Sequence, residues 1–207
     1  MNTTALAAGP KPVASRWIGA TFAGWCAGFV LSILFLVAIE SVGIPNTQFP
    51  LALGMGLAVG FTQGRVLAPR LGGRWRWILT SSIGLAAPFI VMDLFQAFGV
   101  DVPYALAAYI GIGGLAVGVL QAGVLSAIAQ RAVWWVPSAA AGWVLAGSSV
   151  FVAERFIPPG IVGIAGLLLY VGIILLGGIA LGAVEAMALH RIVDAPQRDD
   201  DYYESVR

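Results

Sequence analysis

Hydrophobic residues along this chain fall into six long stretches, separated by short segments that contain glycine, proline or charged residues. Each stretch is close to the ~20 residues that a membrane-spanning helix requires. The pattern therefore predicts an all-α integral membrane protein with six transmembrane helices. The predicted spans are Trp17–Val42, Leu51–Ala68, Trp77–Phe98, Tyr104–Gln130, Trp134–Glu154 and Gly160–His190.

One twelve-residue pattern recurs in the even-numbered spans. Gly56–Leu67 and Gly114–Leu125 are identical at eight of twelve positions, and Gly178–Leu189 is a fainter third copy. In each copy, small residues recur at intervals of four and one polar residue follows them inside an otherwise apolar helix. The polar residues are Gln63, Gln121 and Glu185.

The repeat extends to a whole helical hairpin. Trp17, Trp77 and Trp135 stand at the starts of the odd-numbered spans, 60 and 58 residues apart. A fixed period of this length is typical of a tandem array of one supersecondary unit. Because each unit contains two spans, all three have the same orientation, and a pseudo-threefold axis along the membrane normal is expected. The predicted repeats are about 17–74, 75–133 and 134–193, arranged as a closed ring or, alternatively, as an open row.

Composition and charge agree with this architecture and orient it. Of the 207 residues, 59% are hydrophobic and 10% are charged, whereas about a quarter of an ordinary soluble domain is charged. Ten of the eleven Lys and Arg residues fall on the side that holds both termini, and Arg155 is the exception. Short loops rich in positive charge remain in the cytoplasm, so both termini are predicted to be cytoplasmic. Residues 1–16 are predicted to be a cytoplasmic arm, and residues 194–207 a disordered acidic tail.

The small residues of the repeated pattern are predicted to form helix contacts. On a helix, Gly56 and Gln63 lie about 20° apart, and Gly60 lies about 60° from Gln63. Small residues on one face let helix backbones approach closely within lipid. The predicted helix-packing residues are Gly56, Gly60, Gly114, Gly118, Gly178 and Gly182.

The three polar residues admit two interpretations. As a structural feature, they clasp the helix seam through hydrogen bonds. As a functional feature, three convergent polar groups bind a cation, a lipid headgroup or a polar ligand, because burying an ionisable residue in a membrane is expensive. Glu185 places a titratable group where the other copies have an amide, and Arg65 is its nearest candidate partner. The ligand- or ion-binding candidates are therefore Gln63, Gln121, Glu185 and Arg65.

Other residues support no enzyme or metal site. The sequence contains no phosphate loop, dinucleotide fingerprint or nucleophile elbow. With one cysteine and one histidine, neither a disulfide nor a paired-histidine metal site is expected, so no catalytic residue, metal or cofactor is predicted. Asp93 near the end of the third span is interpreted as a solvated cap or, alternatively, as part of a cation-attracting vestibule.

Tryptophans gather beside the basic turns and predict an aromatic belt at the membrane interface. These belt residues are Trp17, Trp75, Trp77, Trp134 and Trp135.

The motif Gly-x-x-Gln-x-x-Val-Leu, followed by a Trp-rich basic turn, resembles a loose group of small bacterial multi-pass membrane proteins. The resemblance covers most of the chain, although the third copy departs from it with Glu185. The resemblance implies a multi-pass architecture and a location in a bacterial plasma membrane, and it implies no activity. The matching residues are Gly60, Gln63, Val66 and Leu67 with Trp75 and Trp77, and Gly118, Gln121, Val124 and Leu125 with Trp134 and Trp135.

Together these features predict a non-enzymatic membrane protein, a packing or ligand- or lipid-binding module that accompanies a larger membrane assembly. The alternative is a small transporter or channel that uses the layer of Gln63, Gln121 and Glu185. One buried Glu and one His do not form a catalytic set, so an enzyme is not predicted. The expected partners are the lipid bilayer and a membrane protein or second copy of the chain, with no nucleic acid.

Overall fold

The protein is all-helical over the residues that its computed structural model describes, which are 13–100, 105–157 and 163–193. Six α-helices and one short 3-10 helix, Ala132–Trp134, account for its regular structure. All six α-helices are long and apolar enough to cross a membrane, so the prediction of six helical spans is confirmed. They are α1 (Val13–Ser41), α2 (Phe49–Leu71), α3 (Trp75–Ala97), α4 (Ala105–Leu125), α5 (Trp135–Phe156) and α6 (Gly163–Val193).

Two predicted boundaries differ from the structure by four residues or more. Helix α1 begins at Val13, so the last four residues of the predicted arm are helical. Helix α4 ends at Leu125, five residues earlier than predicted, because the chain turns there and the amides of Ile128 and Ala129 both donate to the Leu125 carbonyl. The rest of the predicted arm, the predicted starts of the fourth and sixth spans at Tyr104 and Gly160, and the predicted tail at 194–207 lie outside the described residues.

Each helix packs against the helices before and after it in the chain, and α6 also packs against α1. The order of helix contacts therefore closes on itself. Adjacent helices α1 and α2 are antiparallel, because Gly24 lies beside Val59 while Gly28 lies beside Met55. We call the end of the bundle where α1 begins, with Arg74 and Arg131 nearby, the basic end, and the opposite end the far end.

Glycines make the closest contacts between helices, since a side chain there would meet the neighbouring backbone. A Cβ atom on Gly60 would lie 2.7 Å from Ser81 Cβ, and one on Gly118 would lie 2.9 Å from the carbonyl oxygen of Val136. The other predicted packing glycines also lie against a neighbouring helix. Gly56 meets Ser81, Gly114 meets Trp143, Gly178 meets Trp25, and Gly182 meets Ile18 and Thr21.

Candidate functional site

Near the basic end, eight side chains from the six helices form a buried hydrogen-bonded layer. No member exposes more than 1% of its surface. It contains all three polar residues of the sequence pattern, but the tryptophans and hydroxyl residues that complete it were not predicted. We call it the Trp–Gln–Glu layer, and its members are Trp17, Thr21, Gln63, Trp77, Ser81, Gln121, Trp135 and Glu185.

Three tryptophans form the centre of the layer. The ring centroids of Trp17, Trp77 and Trp135 are 5.6 to 5.8 Å apart, and each pair meets edge to face. This is a favoured geometry for aromatic pairs. The prediction that they belong to an interfacial belt is therefore wrong for these three, which are fully buried. It remains tenable for Trp75 and Trp134, each 65% exposed.

Each central tryptophan donates its indole N–H to a polar residue on the preceding even-numbered helix. Trp77 donates to Gln63 Oε1 at 3.2 Å, and Trp135 donates to Gln121 Oε1 at 2.7 Å. Trp17 donates to Glu185 Oε2 at 3.3 Å, which joins the first helix to the last. A buried indole usually has such an acceptor, so these three bonds satisfy donors that burial would otherwise leave unpaired.

The amide groups of the two glutamines find acceptors on the helix before them. Gln63 Nε2 donates to Thr21 Oγ1 at 3.0 Å, and Gln121 Nε2 donates to Ser81 Oγ at 2.8 Å. Each hydroxyl residue lies four positions after a central tryptophan. Gln63 Nε2 also donates to Glu185 Oε2 at 2.6 Å.

The third copy combines two changes. Its polar residue is Glu185, and the residue four positions after Trp135 is Ala139, which is fully buried. A carboxylate has no N–H to donate, so it does not need the hydroxyl that the glutamine amides use. It accepts instead from Gln63 and Trp17. The two changes in the third copy therefore match each other: a carboxyl group replaces the amide, and a methyl group replaces the hydroxyl that the amide would need.

Arg65 does not join this layer. It is exposed, and its guanidinium lies over the ring of Phe61 with 5.0 Å between Cζ and the ring centroid. Two positions along a helix correspond to about 200°, so Arg65 and Gln63 project in nearly opposite directions. The prediction that Arg65 would be the partner of Glu185 is wrong, and the hydrogen-bond partners of that carboxyl are neutral.

Beyond the layer, toward the far end, lies a cavity of about 370 Å³ between the helices. Its walls are mostly aromatic and aliphatic, and all six helices contribute. We call it the central cavity. Its lining residues are Trp25, Phe29, Ser32, Gln48, Leu51, Ala52, Met55, Leu85, Phe89, Ile110, Trp143, Gly147, Val150, Tyr170 and Ile174.

Three of these lining residues occupy matching positions. Trp25, Leu85 and Trp143 each follow a central tryptophan of the layer by eight residues, about 12 Å along the helix. They form the floor of the cavity, nearest to the layer. None of the eight layer residues lines the cavity, so the polar groups and the open volume are separate.

Asp93 lies near the far end and holds the start of α2. Its Oδ1 accepts from the backbone N–H of Gln48 at 2.8 Å, and its Oδ2 accepts from that of Phe49 at 2.9 Å. Backbone N–H groups at a helix start lack partners within the helix, and a carboxylate there also interacts favourably with the helix dipole. Asp93 thus acts as a cap, as one of the two sequence interpretations expected, but it is half-buried and the helix that it caps is α2 instead of its own.

Two surface grooves lie at the basic end. One of about 420 Å³ is lined by Arg131, Trp134 and Arg191 among others. A second of about 350 Å³ is lined by Trp75 and Arg76 among others. Exposed tryptophan beside arginine is the composition that favours contact with anionic lipid headgroups.

No group of three or more His, Cys, Asp or Glu side chains could hold a metal ion within the described ranges. No family model, curated protein or solved structure matches the chain. Function must therefore be argued from the layer and the cavity themselves.

Sequence reasoning missed the layer tryptophans and the cavity, although both leave a signal. Gln63 and Trp77 are 14 residues apart, and so are Gln121 and Trp135. Such a recurring spacing between a polar residue and a tryptophan indicates a repeated contact. No comparable spacing marks the floor of the cavity, because its residue in the second copy is Leu85 instead of tryptophan.

Proposed function

We propose that this protein is a non-enzymatic membrane module that binds a hydrophobic molecule of the bilayer in its central cavity. The observation that carries the proposal is the division of its interior into two parts. The Trp–Gln–Glu layer is filled by side chains that bond to one another, whereas the adjacent cavity is open and apolar. Ligand sites in proteins are typically concave and mostly apolar, with few polar groups.

We further propose that three tandem hairpins surround a pseudo-threefold axis. The three indole hydrogen bonds support this arrangement, since each joins a central tryptophan to the polar residue of the preceding unit. The contact between α6 and α1 supports a closed ring over an open row. A closed ring gives each unit equivalent neighbours and leaves no unpaired helix face at an end of the row.

The alternative function, transport or conduction through the polar layer, receives less support. A pathway for ions or polar solutes needs water or coordinating groups along its length. Here the amide oxygens and nitrogens of Gln63 and Gln121 are engaged within the protein. Three indole rings in mutual contact occupy the centre of the same layer. These features favour a seal at the basic end of the cavity.

Purification followed by reconstitution tests the proposal. The full chain, extracted in mild detergent, is expected to retain a bilayer lipid or other apolar molecule that native mass spectrometry detects. In liposomes it is expected to give no ion or polar-solute flux above that of protein-free vesicles. Flux that disappears in Glu185→Gln would overturn the proposal in favour of transport. A tightly copurifying protein would instead identify the predicted larger assembly.

We also propose that the protein resides in a bacterial plasma membrane with both termini in the cytoplasm, which places the basic end inside. The ten-to-one distribution of Lys and Arg supports this orientation. After replacement of Cys26 by alanine, a cysteine at Asn46 should react with an impermeant reagent in intact cells, and one at Gly73 should not. The reverse labelling pattern would invert the topology.

A further inference from the structure

The floor of the central cavity contains a buried hydrogen-bond donor without an acceptor. Trp143 is 3% exposed, and its indole N–H has no partner in the part of the chain that the structure describes. Its neighbour Trp25, with 5.8 Å between ring centroids, donates to the carbonyl oxygen of Ile174 at 3.0 Å. Buried donors are nearly always paired, so one of the two tryptophans at the floor lacks the acceptor that a buried indole N–H normally has.

The cavity walls select against a charged ligand. None of the described lining residues is charged. Asp93 is adjacent to the lining, because its carboxylate accepts a hydrogen bond from the backbone N–H of Gln48, a lining residue. An anionic headgroup among these lining residues would gain no positive partner, and Asp93 would add repulsion. A ligand of this cavity is therefore expected to be neutral.

The volume and the donor define the ligand further. A cavity of about 370 Å³ lies near the lower limit of the ~300–1,000 Å³ that is typical of small-molecule sites. It suits one hydrocarbon chain or a small ring system better than a two-chain phospholipid. Because an indole nitrogen can donate and cannot accept, the ligand must contribute a carbonyl, hydroxyl or ether oxygen.

We propose that the central cavity binds a neutral, single-chain lipophilic molecule whose oxygen accepts a hydrogen bond from the indole N–H of Trp143. This inference rests on the proposed function, because it names the class of molecule that the binding module holds. The aromatic side chains of Trp25, Phe29 and Phe89 contact the apolar part of the molecule. The Trp–Gln–Glu layer closes the cavity on the side of the basic end.

Binding to the delipidated full chain in detergent tests the ligand class. The probes are a monoacylglycerol, an alkane of the same chain length, the corresponding fatty-acid anion and a diacyl phospholipid. Intrinsic tryptophan fluorescence and thermal unfolding report binding. The monoacylglycerol is expected to bind about fivefold more tightly than the alkane, since one neutral hydrogen bond separates them. It should bind at least about tenfold more tightly than the anion, which is desolvated without a partner.

Trp143→Phe tests the donor. In the delipidated protein, this change removes an N–H that makes no bond and leaves a smaller ring, so the unfolding temperature should fall less than in Trp25→Phe, which loses a hydrogen bond as well. Its affinity for the monoacylglycerol should fall about fivefold, to the level of the alkane. Trp25→Phe is the matched control. It removes the bond to Ile174 and lowers stability, while the preference for the oxygen-containing probe is retained.

A second pair of variants tests the place of binding. Val150→Phe puts an aromatic ring on a lining residue and should abolish binding of every probe. Val152→Phe makes the same change on the same helix at a residue that is 39% exposed, and binding should be unaffected. Equal loss of binding in both variants would place the site outside the cavity and overturn the inference.

The remaining outcomes separate the inference from the proposed function. If Trp143→Phe binds the monoacylglycerol as wild type does, the hydrogen bond is wrong. Preferred binding of the anion or of the diacyl phospholipid within the cavity overturns the ligand class and leaves the binding module intact. If none of the probes binds and the purified chain retains no apolar molecule, both proposals fall together.

Discussion

Buried tryptophans lie in both halves of the bundle interior, but their hydrogen bonding differs between the two. In the Trp–Gln–Glu layer, three buried tryptophans contact one another and donate to side-chain oxygens. At the floor of the central cavity, eight residues further along their helices, two more buried tryptophans contact each other. There the indole N–H of Trp25 is hydrogen-bonded, whereas that of Trp143 has no acceptor among the described residues. The layer is thus complete without a ligand, and the floor is not.

The difference corresponds to the residues that the three sequence copies supply to the layer and to the floor. In the layer, all three copies of the pattern supply a tryptophan and a polar acceptor. At the floor, the second copy supplies Leu85, and the walls offer few side-chain acceptors. Complete polar pairing leaves no costly, partly satisfied network in the layer, which agrees with the seal that we propose. Incomplete pairing at the floor leaves space and an indole N–H without an acceptor among the described residues, which agrees with the binding site that we propose.

The largest expected effect comes from forcing apart the helix contacts beside the layer. Gly60→Leu and Gly118→Leu would each drive a side chain into a neighbouring helix and should cost about 3 kcal/mol or more of stability. Gly172→Leu is the control, because a Cβ atom there meets nothing within 4 Å. Thermal unfolding in detergent measures all three. Similar unfolding temperatures for the three variants would show that the seam is loose.

The next effect separates buried from interfacial tryptophans. Trp77→Phe leaves a void and deprives Gln63 Oε1 of its donor, so it should cost about 2 to 4 kcal/mol. Trp75→Phe, two residues earlier on the same helix and 65% exposed, should change stability by less than about 0.5 kcal/mol. Unfolding in detergent compares the two variants. Equal effects would mean that Trp77 is not part of a sealed layer.

An intermediate effect concerns the paired exchange in the third copy. From the sequence alone, Glu185→Gln should fold normally, because it restores the amide found in the other copies. The structure refines that expectation, since Ala139 offers no hydroxyl to the new amide. Ala139→Ser combined with Glu185→Gln should therefore be about 1 kcal/mol more stable than the sum of the single changes predicts. A double-mutant cycle of unfolding free energies measures this coupling, and strict additivity would contradict the proposed equivalence of the three units.

The smallest expected effect is at the far end. Asp93→Asn keeps one acceptor oxygen but loses the charge and one of two bonds to the start of α2. It should cost about 0.5 kcal/mol, with amide hydrogen exchange rising first at Phe49 and the following residues. If amide hydrogen exchange rises instead at residues near the layer, the far end and the layer do not unfold independently.

How far the candidate site could be predicted is clear from single residues. Helix geometry alone places Gly60 and Gln63 on the same face of their helix. In the structure, Gly60 lies at a contact with the neighbouring helix, as predicted. Arg65 was predicted to approach Glu185, but only two positions separate it from Gln63, and the same helix geometry turns it away. The error came from judging proximity along the chain instead of around the helix.

The tryptophans could not be assigned to inside or outside from the sequence. Trp75 and Trp77 are separated by one residue, and both stand beside arginine, which is typical of an interfacial belt. One of them is 65% exposed and the other is fully buried. The choice depends on whether an acceptor lies within reach in the folded protein, and that acceptor is contributed by another helix.

The amino-acid pattern is sufficient to indicate helices in a bilayer and a recurring twelve-residue motif. Apolar stretches of sufficient length and a low content of charge leave helices in a bilayer as the physical solution, because backbone groups in lipid must bond within their own helix. Contacts between distant helices bring Trp17 to Glu185 across 168 residues, and they separate the Trp–Gln–Glu layer from the central cavity. They also leave the indole N–H of Trp143 without an acceptor in the described part of the chain. These features depend on how helices distant in sequence meet around a common centre, and local propensity and periodicity contain no information about such contacts.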